Sequence, residues 1–477
     1  MNVLFVSSEA IPYSKTGGLA DVAGTLPRIL AGDHTVTLAV PLHGGRNAAP
    51  ADAVKTGTLE VEIGTHRHEV DIYTLTLSRH FKVILVSQDL FFARDFLYGD
   101  ASGDYRDNFE RFLCFQKSLV GFLERPRRAF EIVHANDWQT ALLPLLWRFP
   151  ARRRRPAFVF TIHNIGYQGL FDPRYFGLLD LPRDLFTPDS LEFYGRLNCL
   201  KAGIVFSDAV TTVSPTYARE IRQPEFGAGL DGVLVRFQHK LSGILNGVDY
   251  GTWDPRHDPL IARNYTSGHL EDKSENKRAL LRELRLPGSG DKPLAVAITR
   301  LSVQKGIELI LEALDGWKQL PFHLVVLGQG DRLYEERLTR LAATRRGVRF
   351  IPGFDESLAH RLQAAADMLW MPSQYEPCGL TQLYAMRYGT VPVVRATGGL
   401  ADTVRPVGPH ADRGTGFTFG PFTAAALKAA VDDALSWYAR PDDWRKIQKR
   451  GMAADFSWEK SAERYTRLYQ TVLKRRD

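Results

Sequence analysis

Short apolar runs alternate with segments of helical spacing along the first half of the chain. The apolar runs predict strands, and the segments between them, with apolar residues three or four positions apart, predict helices. This alternation favours a parallel sheet with crossover helices. The strands are predicted at Val3–Ser7, Thr35–Val40, Val83–Ser87, Ile132–Ala135, Phe158–Ile162 and Ala209–Val213. Helices are predicted at Asn108–Leu123, Trp138–Trp147 and Pro215–Ile221, with another after Leu19 that Pro27 is expected to kink or shorten.

The same alternation restarts after a glycine-rich join at Ser242–Trp253. Strands are predicted at Leu294–Thr299, His323–Leu327, Arg349–Ile351, Met368–Met371 and Val391–Val394. Helices are predicted at Ile307–Leu314, Tyr334–Ala343, Leu358–Ala366, Gly379–Tyr388 and Trp458–Leu473. The pattern predicts an α/β protein with two doubly wound, Rossmann-like domains facing a deep cleft. We expect the domains at 1–242 and 243–456, with a C-terminal helix in 457–477 that packs on the first domain.

Length, charge and cysteine content restrict the class of protein. A chain of 477 residues is too long for one core. The net charge of +7 favours an anionic substrate, and we interpret the basic run Arg152–Arg155 as a solvated loop, with no nucleic acid expected. Cys114, Cys199 and Cys378 lie far apart without metal-ligand spacing, so reduced thiols and a cytoplasmic location are expected. Neither a signal peptide nor a membrane span is predicted.

The segment Lys15–Val22 reads Lys-Thr-Gly-Gly-Leu-Ala-Asp-Val and lies between a predicted strand and a helix. Adjacent glycines let backbone N–H groups approach a ligand, and a helix start beside a lysine suits a phosphate or diphosphate. An ordinary strand-to-helix turn with a surface lysine fits these residues equally well. Residues Thr397–Asp402 repeat the sequence of Thr16–Asp21, which suggests two similar halves.

Two loops of the second half carry candidate chemistry. Arg300 and Lys305 bracket the turn after the strand at Leu294, and two cations there can neutralise a departing diphosphate. Glu376 follows the strand at Met368, and its carboxylate could bind sugar hydroxyls or stabilise a developing positive charge; a structural helix-terminal anion is the alternative. Cys378 is expected to be a packed thiol and not a nucleophile.

Two loops of the first half also end strands. Asp137 is predicted to be a helix N-cap that could also line the cleft. His163 follows the strand that ends at Ile162, which places it at the carboxyl edge of the sheet.

Together these motifs resemble the bacterial glycogen synthases and plant starch synthases, which are retaining glucosyltransferases of the GT-B type. The resemblance rests on motifs that fall in the family's order along the chain: Lys15–Val22, His134–Trp138, Thr161–Asn164, Asn246–Asp249, Arg300–Gly306, Glu376–Gln382 and Thr397–Val404. It implies transfer of glucose from ADP-glucose to the non-reducing end of an α-1,4-glucan, without a metal or other cofactor.

The resemblance also implies roles for individual residues. Catalytic roles fall to Lys15, His163, Arg300, Lys305 and Glu376. The donor site further includes Gly18, Asp21, Asn246, Phe354, Cys378, Gly379, Leu380 and Thr381, with Phe354 where the family stacks an aromatic ring on adenine. The acceptor side includes Tyr98, Asp137 and Asn164, near the pair Asp107–Asn108. Tyr384 stands where many retaining GT-B enzymes carry a second glutamate, and Asn136 stands where bacterial members often have histidine.

Three alternatives remain at this point: a GT-B transferase that uses UDP-glucose or another acceptor, a nucleotide-dependent dehydrogenase, and a catalytically silent glucan-binding protein. A dehydrogenase would need a glycine fingerprint followed by an acidic residue, and none follows the first strand. The charged residues Lys15, Arg300, Lys305 and Glu376 argue against a silent binder.

Overall fold

The computed structural model describes residues 1–100, 103–125, 129–149, 156–287, 291–410 and 412–475. The strands of the first half are β1 (Asn2–Val6), β2 (Thr35–Pro41), β3 (Val54–Ile63), β4 (His66–Thr76), β5 (Phe81–Ser87), β6 (Gly99–Asp100), β7 (Gly103–Asp104), β8 (Ile132–Asn136), β9 (Ala157–Ile162), β10 (Leu170–Phe171), β11 (Glu192–Phe193), β12 (Arg196–Asn198), β13 (Ala209–Thr212) and β14 (Leu241–Gly243). The strands of the second half are β15 (Leu294–Ile298), β16 (His323–Gly328), β17 (Val348–Pro352), β18 (Met368–Met371), β19 (Val391–Arg395) and β20 (Phe417–Phe419). The basic run at 152–155 lies outside the described residues.

Helices separate most of these strands. They are α1 (Gly18–Leu30), α2 (Asp89–Phe92), α3 (Asn108–Leu123), α4 (Leu143–Arg148), α5 (Cys199–Phe206), α6 (Pro215–Glu220), α7 (Asp231–Arg236), α8 (Lys273–Glu283), α9 (Ile307–Asp315), α10 (Arg332–Thr344), α11 (Glu356–Ala365), α12 (Thr381–Arg387), α13 (Gly398–Thr403), α14 (Ala424–Tyr438), α15 (Pro441–Ala453) and α16 (Trp458–Lys474). Short 3-10 turns occur at Arg46–Ala48, Trp138–Thr140, Pro173–Leu179, Arg183–Leu185, Gln238–Lys240, Leu270–Asp272 and Val303–Lys305.

The described residues fall into two compact units. The first unit comprises described residues within 1–213, 218–245 and 458–477, and the second comprises 214–217 and described residues within 246–457. The predicted division at 242/243 therefore lies three residues before the observed one at 245/246. Helix α16 belongs to the first unit, where Tyr465 and Tyr469 are buried in its core.

The first unit is built on a mixed sheet. The strand order among the described residues is β14-β13-β9-β8-β1-β2-β5-β4-β3. All pairs are parallel except β3–β4 and β4–β5, which are antiparallel. Alternate residues of β1 enter separate apolar clusters, with Leu4 and Val6 in one and Val3 and Phe5 in the other. Both faces of this strand are therefore covered, as a doubly wound sheet requires.

The second unit repeats this plan with an entirely parallel sheet. The order among the described residues is β17-β16-β15-β18-β19-β20. Ala295 and Ala297 face one apolar cluster, and Leu294 and Val296 face another. The predicted class, α/β with two doubly wound units, is confirmed.

Several local details differ from the sequence predictions. Helix α1 runs through Pro27 to Leu30, so this proline does not shorten it. The helix predicted at Trp138–Trp147 is a 3-10 turn followed by α4. The antiparallel strands β3 and β4 were not predicted, because much of β3 and both ends of β4 are exposed, which interrupts the apolar pattern. Residues 165–200 contain 3-10 turns and the small antiparallel sheet β10-β12-β11.

Candidate active-site residues in each unit

Three neighbouring strands deliver the candidate residues of the first unit. Strands β9, β8 and β1 are adjacent and parallel, so the loops after them lie at one edge of the sheet. The loop after β1 carries Glu9 and leads to the glycine turn that precedes α1. The loops after β8 and β9 carry Asp137 and His163.

The carboxylate of Glu9 holds the glycine turn. The Thr16 amide donates to Oε2 at 2.5 Å, and the Thr16 hydroxyl donates to the two carboxylate oxygens at 3.1 and 2.9 Å. The amide of Gly17 also donates to Glu9. These two amides therefore bind a carboxylate of the protein, whereas the sequence pattern predicts that amides of this turn bind a phosphate. Glu9 was not predicted as a site residue; its one signal is a carboxylate in a buried segment.

Lys15 and Asp21 form an ion pair across the start of α1. The Lys15 Nζ lies 2.9 Å from Asp21 Oδ1, and both side chains are partly exposed. The helix itself begins at Gly18, after an extended Gly17. The two charged residues were assigned separately to the donor site, and the structure brings them together. A phosphate beside Lys15 would share this cation with Asp21.

Tyr98 lies beside Glu9. Its hydroxyl is 2.8 Å from Ser8 Oγ, and its carbonyl accepts from Asn108 Nδ2 at 2.8 Å. Burial and then the nearby Glu9 charge raise the pKa of Tyr98 well above its ordinary value. Burial also raises the pKa of Glu9, against the hydrogen bonds that favour its charge. Tyr98 is therefore a neutral hydroxyl at neutral pH.

Asp137 stands at the N-cap position of the 3-10 turn at Trp138–Thr140. Its side chain makes no capping bond to the following 3-10 turn. Instead, Oδ1 accepts the His163 amide at 2.7 Å, and the carboxylate also accepts the Asn164 amide. The backbone of Asp137 has a φ of 56°, in the left-handed region that residues other than glycine seldom adopt. The predicted position is therefore right, but the side-chain cap is absent because the carboxylate binds the amides of the loop after β9.

Burial strongly perturbs the titration of these residues. It raises the pKa of Asp137 to about 7, with the Glu9 charge contributing. It lowers the pKa of His163 to about 3, so the imidazole is neutral at neutral pH. Asn164 uses its Oδ1 locally, accepting the Gly166 amide at 2.9 Å.

Two adjacent strands position the charged residues of the second unit. Strands β15 and β18 pair in parallel, and the loops after them are joined by a hydrogen bond from the Gln374 amide to the Gln304 carbonyl at 2.8 Å. Gly306 has a φ of 67°, and a Cβ there would lie 2.1 Å from the Pro372 carbonyl oxygen. Only glycine allows the two loops to approach this closely.

This close approach brings Lys305 and Glu376 together. Lys305 Nζ lies 2.6 Å from Glu376 Oε2, and the Ser373 hydroxyl donates to the same oxygen at 2.9 Å. Glu376 is only 5% exposed. Its carbonyl accepts the Gly399 amide at 2.9 Å. The structure thus joins a predicted diphosphate cation to a predicted sugar-binding carboxylate.

Arg300 and Phe354 are exposed residues of the loops after β15 and β17. Arg300 lies in the same loop as Lys305, directly before Leu301, whose amide donates to the Gln329 carbonyl at 2.8 Å. Phe354 follows β17 and is 66% exposed. Since β17, β16, β15 and β18 are consecutive in the sheet, these loops lie at the edge that carries Glu376.

Asn246 and Cys378 lie against each other. The backbone amide of Asn246 donates to the Cys378 thiol, and burial raises the pKa of this thiol to about 12. Cys378 is therefore a packed thiol, as predicted from the sequence. The Asn246 Oδ1 atom is buried and accepts no hydrogen bond from the described residues. A buried acceptor of this kind suits a ligand hydroxyl.

Gly379 is held in a left-handed turn before α12. Its φ is 73°, and Gln382 Nε2 donates to the carbonyls of Cys378 and Gly379 at 3.1 and 2.9 Å. The helix begins at Thr381 after Leu380, two residues later than predicted. Gln382, which fixes this turn, was not among the predicted site residues.

The repeated sequence Thr-Gly-Gly-Leu-Ala-Asp serves different purposes in its two copies. In the second copy a Cβ on Gly399 would lie 2.0 Å from the Cys378 carbonyl oxygen, so this turn packs against the Glu376 loop. Asp402 accepts the amide and hydroxyl of Thr216, both at 2.7 Å. The first copy instead binds Glu9 and pairs Asp21 with Lys15.

Tyr384, at the position where many retaining GT-B enzymes carry a second glutamate, has a packing role. Its ring stacks on Trp253 at 4.0 Å with an interplanar angle of 2°. His360 stacks on Trp253 at 3.7 Å. These three rings pack the segment after Asn246 against α12, which explains an aromatic residue at this position.

The described part of the chain contains no cluster of three or more histidine, cysteine or acidic residues placed to hold a metal ion. Within the same residues, no helix has both the length and the apolar character that a membrane crossing requires.

Comparisons with known proteins give consistent matches to both halves. Residues 2–236 match the family described as starch synthase catalytic domain, and residues 285–451 match the family described as glycosyl transferases group 1. The chain is 46% identical to a glycogen synthase of Anaeromyxobacter dehalogenans over 99% of this chain and 100% of the relative. It is 44% identical to glycogen synthase 2 of Geobacter sulfurreducens over 98% of each chain. The solved catalytic domain of starch synthase IV from Arabidopsis thaliana, bound to ADP and acarbose, is 33% identical with a TM-score of 0.89 over 99% of both chains.

The raised pKa of Asp137 predicts a pH-dependent stability difference. Its ordinary pKa is 3.8 and its folded value is about 7, so the unfolded chain releases this proton first as pH rises. Relative to Asp137→Asn, the wild type should lose on the order of 4 kcal/mol between about pH 4 and 7 and then level off. Chemical denaturation of both proteins at a series of pH values measures this. A difference that does not vary with pH would contradict the assignment.

Proposed function

The chain belongs to the glycogen and starch synthase family, and on that premise we propose that it transfers glucose from ADP-glucose to the non-reducing end of an α-1,4-glucan. The anomeric configuration is retained and ADP is released. The observation that carries this proposal is the contact between Lys305 and Glu376. It combines a cation suited to a leaving phosphate with a carboxylate suited to a sugar.

The second unit supplies the donor-binding groups. Departure of ADP develops negative charge on the diphosphate and positive charge on the sugar, so both must be stabilised. Arg300 offers a planar fork to phosphate oxygens and Lys305 a compact charge. Two side-chain cations can supply this neutralisation without a metal ion. The buried Oδ1 of Asn246 provides an acceptor for a sugar hydroxyl, and Phe354 an exposed ring for the adenine.

The first unit contributes the acceptor-side groups and part of the donor contacts. Lys15, Gly18 and Asp21 belong to the turn that would contact the donor. Tyr98, Asp137 and Asn164 would face the glucan, and His163 the transferring glucose. We place the reaction in the cytoplasm, where the buried free thiols Cys114, Cys199 and Cys378 would remain reduced.

Glucan-dependent release of ADP tests this function. ADP should appear only when both ADP-glucose and glycogen are supplied, at an unchanged rate in the presence of a chelator. Lys305→Ala and Glu376→Ala should each lower kcat by about 100-fold or more, because they remove charge stabilisation from the transition state. A parallel assay with UDP-glucose determines which nucleotide base the enzyme prefers in its donor.

Arg332→Ala is the matched control for that experiment. Arg332 is a cation of the same unit whose side chain is 90% exposed, and it should keep wild-type activity. Unchanged melting temperatures would separate lost chemistry from lost folding. Glycogen-independent ADP release, or full activity in the Lys305 and Glu376 variants, would refute the proposed function.

Retention is proposed to follow from attack on the same face as the leaving group, with the departing phosphate taking the acceptor proton. A covalent mechanism would need a carboxylate beneath the anomeric carbon. The Glu376 carboxylate is bound by Lys305 and Ser373, which suits an electrostatic role. Mass spectrometry after incubation with a 2-fluoro donor should find unmodified protein. A glucosyl adduct on Glu376 or another carboxylate would replace this mechanism with a covalent one.

A further inference from the structure

Asn136 and His163 form a hydrogen bond at the ends of β8 and β9. The His163 Nε2 atom lies 2.9 Å from Asn136 Oδ1. The two strands pair in parallel with Asn136 opposite Thr161, and His163 lies two residues beyond Thr161. Asn136 is only 1% exposed, so its side chain is protected from water.

The orientation of the Asn136 amide is fixed by its other partners. Its Nδ2 donates to the Val6 carbonyl at 3.0 Å and also approaches the His134 carbonyl at 3.4 Å. A carbonyl can only accept, so the nitrogen must face these groups and the oxygen must face His163. Thr140 holds the backbone of the same residue, accepting its amide at 2.7 Å and donating to its carbonyl at 2.8 Å.

This orientation assigns the proton of the His163 ring. An amide oxygen has no hydrogen to donate, so Nε2 must carry the proton of the bond. Burial lowers the pKa of His163 to about 3, which keeps the ring neutral. A neutral imidazole has one N–H, so Nδ1 is an acceptor. The carboxyl of Asp137 binds the backbone amide of His163, while the ring bonds Asn136.

A second buried rung lies directly beneath the first. His134 Nε2 is 2.6 Å from Thr161 Oγ1, which is 2.5 Å from Thr211 Oγ1. The His134 Nδ1 atom is 2.7 Å from the hydroxyl of Tyr469 on α16. Burial, and then the nearby His163, lower the pKa of His134 to about 3, so this rung is also uncharged. It ties β8, β9 and β13 together.

We propose that Asn136 is a positioning residue that fixes His163 with its proton on Nε2 and leaves Nδ1 to accept a hydrogen bond from a substrate hydroxyl. The tautomer follows from the contacts within the first unit alone. The role of Nδ1 toward a substrate rests on the proposed function, in which the hydroxyl belongs to the transferring glucose. His163 is then an acceptor toward the sugar and not a proton donor.

Nitrogen NMR of protein labelled with ¹⁵N-histidine tests the tautomer without any substrate. His163 signals are identified by their loss in His163→Gln. The wild type should show a protonated Nε2 and an unprotonated Nδ1 from about pH 6 to 8. Asn136→Leu removes the acceptor and should give a mixture of tautomers. A wild-type proton on Nδ1, or an unchanged tautomer in Asn136→Leu, would overturn the proposal.

Two further variants keep the test decisive. Thr161→Val removes the His134 bond but leaves the Asn136 amide in place, so the His163 signals should keep the wild-type pattern. If Thr161→Val mixes the tautomers as Asn136→Leu does, strand spacing and not Asn136 sets them, and the proposal fails. Asn136→Asp keeps an acceptor should the leucine variant not fold. Its His163 should retain the Nε2 proton and titrate at a higher pH than in the wild type, and a proton found on Nδ1 would refute the assignment.

Activity provides a separate readout. Asn136→Leu should lower kcat by about tenfold, the value of one lost hydrogen bond, with a smaller change in KM for glycogen. Asn136→Asp should recover part of this loss above the pH at which His163 titrates, since the ring is again a neutral Nε2–H form there. Wild-type kcat in Asn136→Leu would contradict a positioning role. Failure of the proposed function itself would leave the NMR result intact, so the two outcomes are distinguishable.

Discussion

The ion pair between Lys305 and Glu376 is the interaction on which the second unit's site depends. A buried carboxylate needs a partner, since an uncompensated charge at 5% exposure is strongly unfavourable. The pair forms only because β15 and β18 are neighbours and Gly306 lets their loops touch. Under the proposed function, the same contact would hold the Lys305 cation beside the leaving phosphate. The close packing of the two loops and the pairing of Lys305 with Glu376 therefore both depend on glycine at position 306.

In the first unit, backbone amides hold the carboxyl groups of Glu9 and Asp137. Glu9 takes the amides of Thr16 and Gly17, and Asp137 takes those of His163 and Asn164. The Glu9 carboxylate closes its own loop onto the start of α1, and the Asp137 carboxylate connects the loops after β8 and β9. Burial raises the pKa of both. The loops after β1 and β9 are thus shaped by internal carboxyl groups before any substrate contributes.

Much of this architecture could be predicted because it is local. Apolar runs marked the central strands, and the rule that ligands bind at the carboxyl ends of parallel strands led to Lys305, Glu376, Asp137 and His163. What could not be predicted depends on contacts between distant segments. Nothing near Asp137 in sequence reveals that its partner is the amide of His163, and nothing near Tyr384 reveals Trp253. Glu9 was passed over because a single carboxylate carries no spacing pattern.

Calorimetric titration with ADP tests the central claim most directly, namely that Lys305 holds the diphosphate while Glu376 acts on the sugar. Lys305→Met should weaken ADP binding by about tenfold or more, because a charge-assisted contact is lost. Glu376→Gln should bind ADP at least as tightly as the wild type, since removal of the carboxylate charge frees Lys305 for phosphate. Equal ADP affinity in the wild type and Lys305→Met would show that Lys305 does not hold the diphosphate.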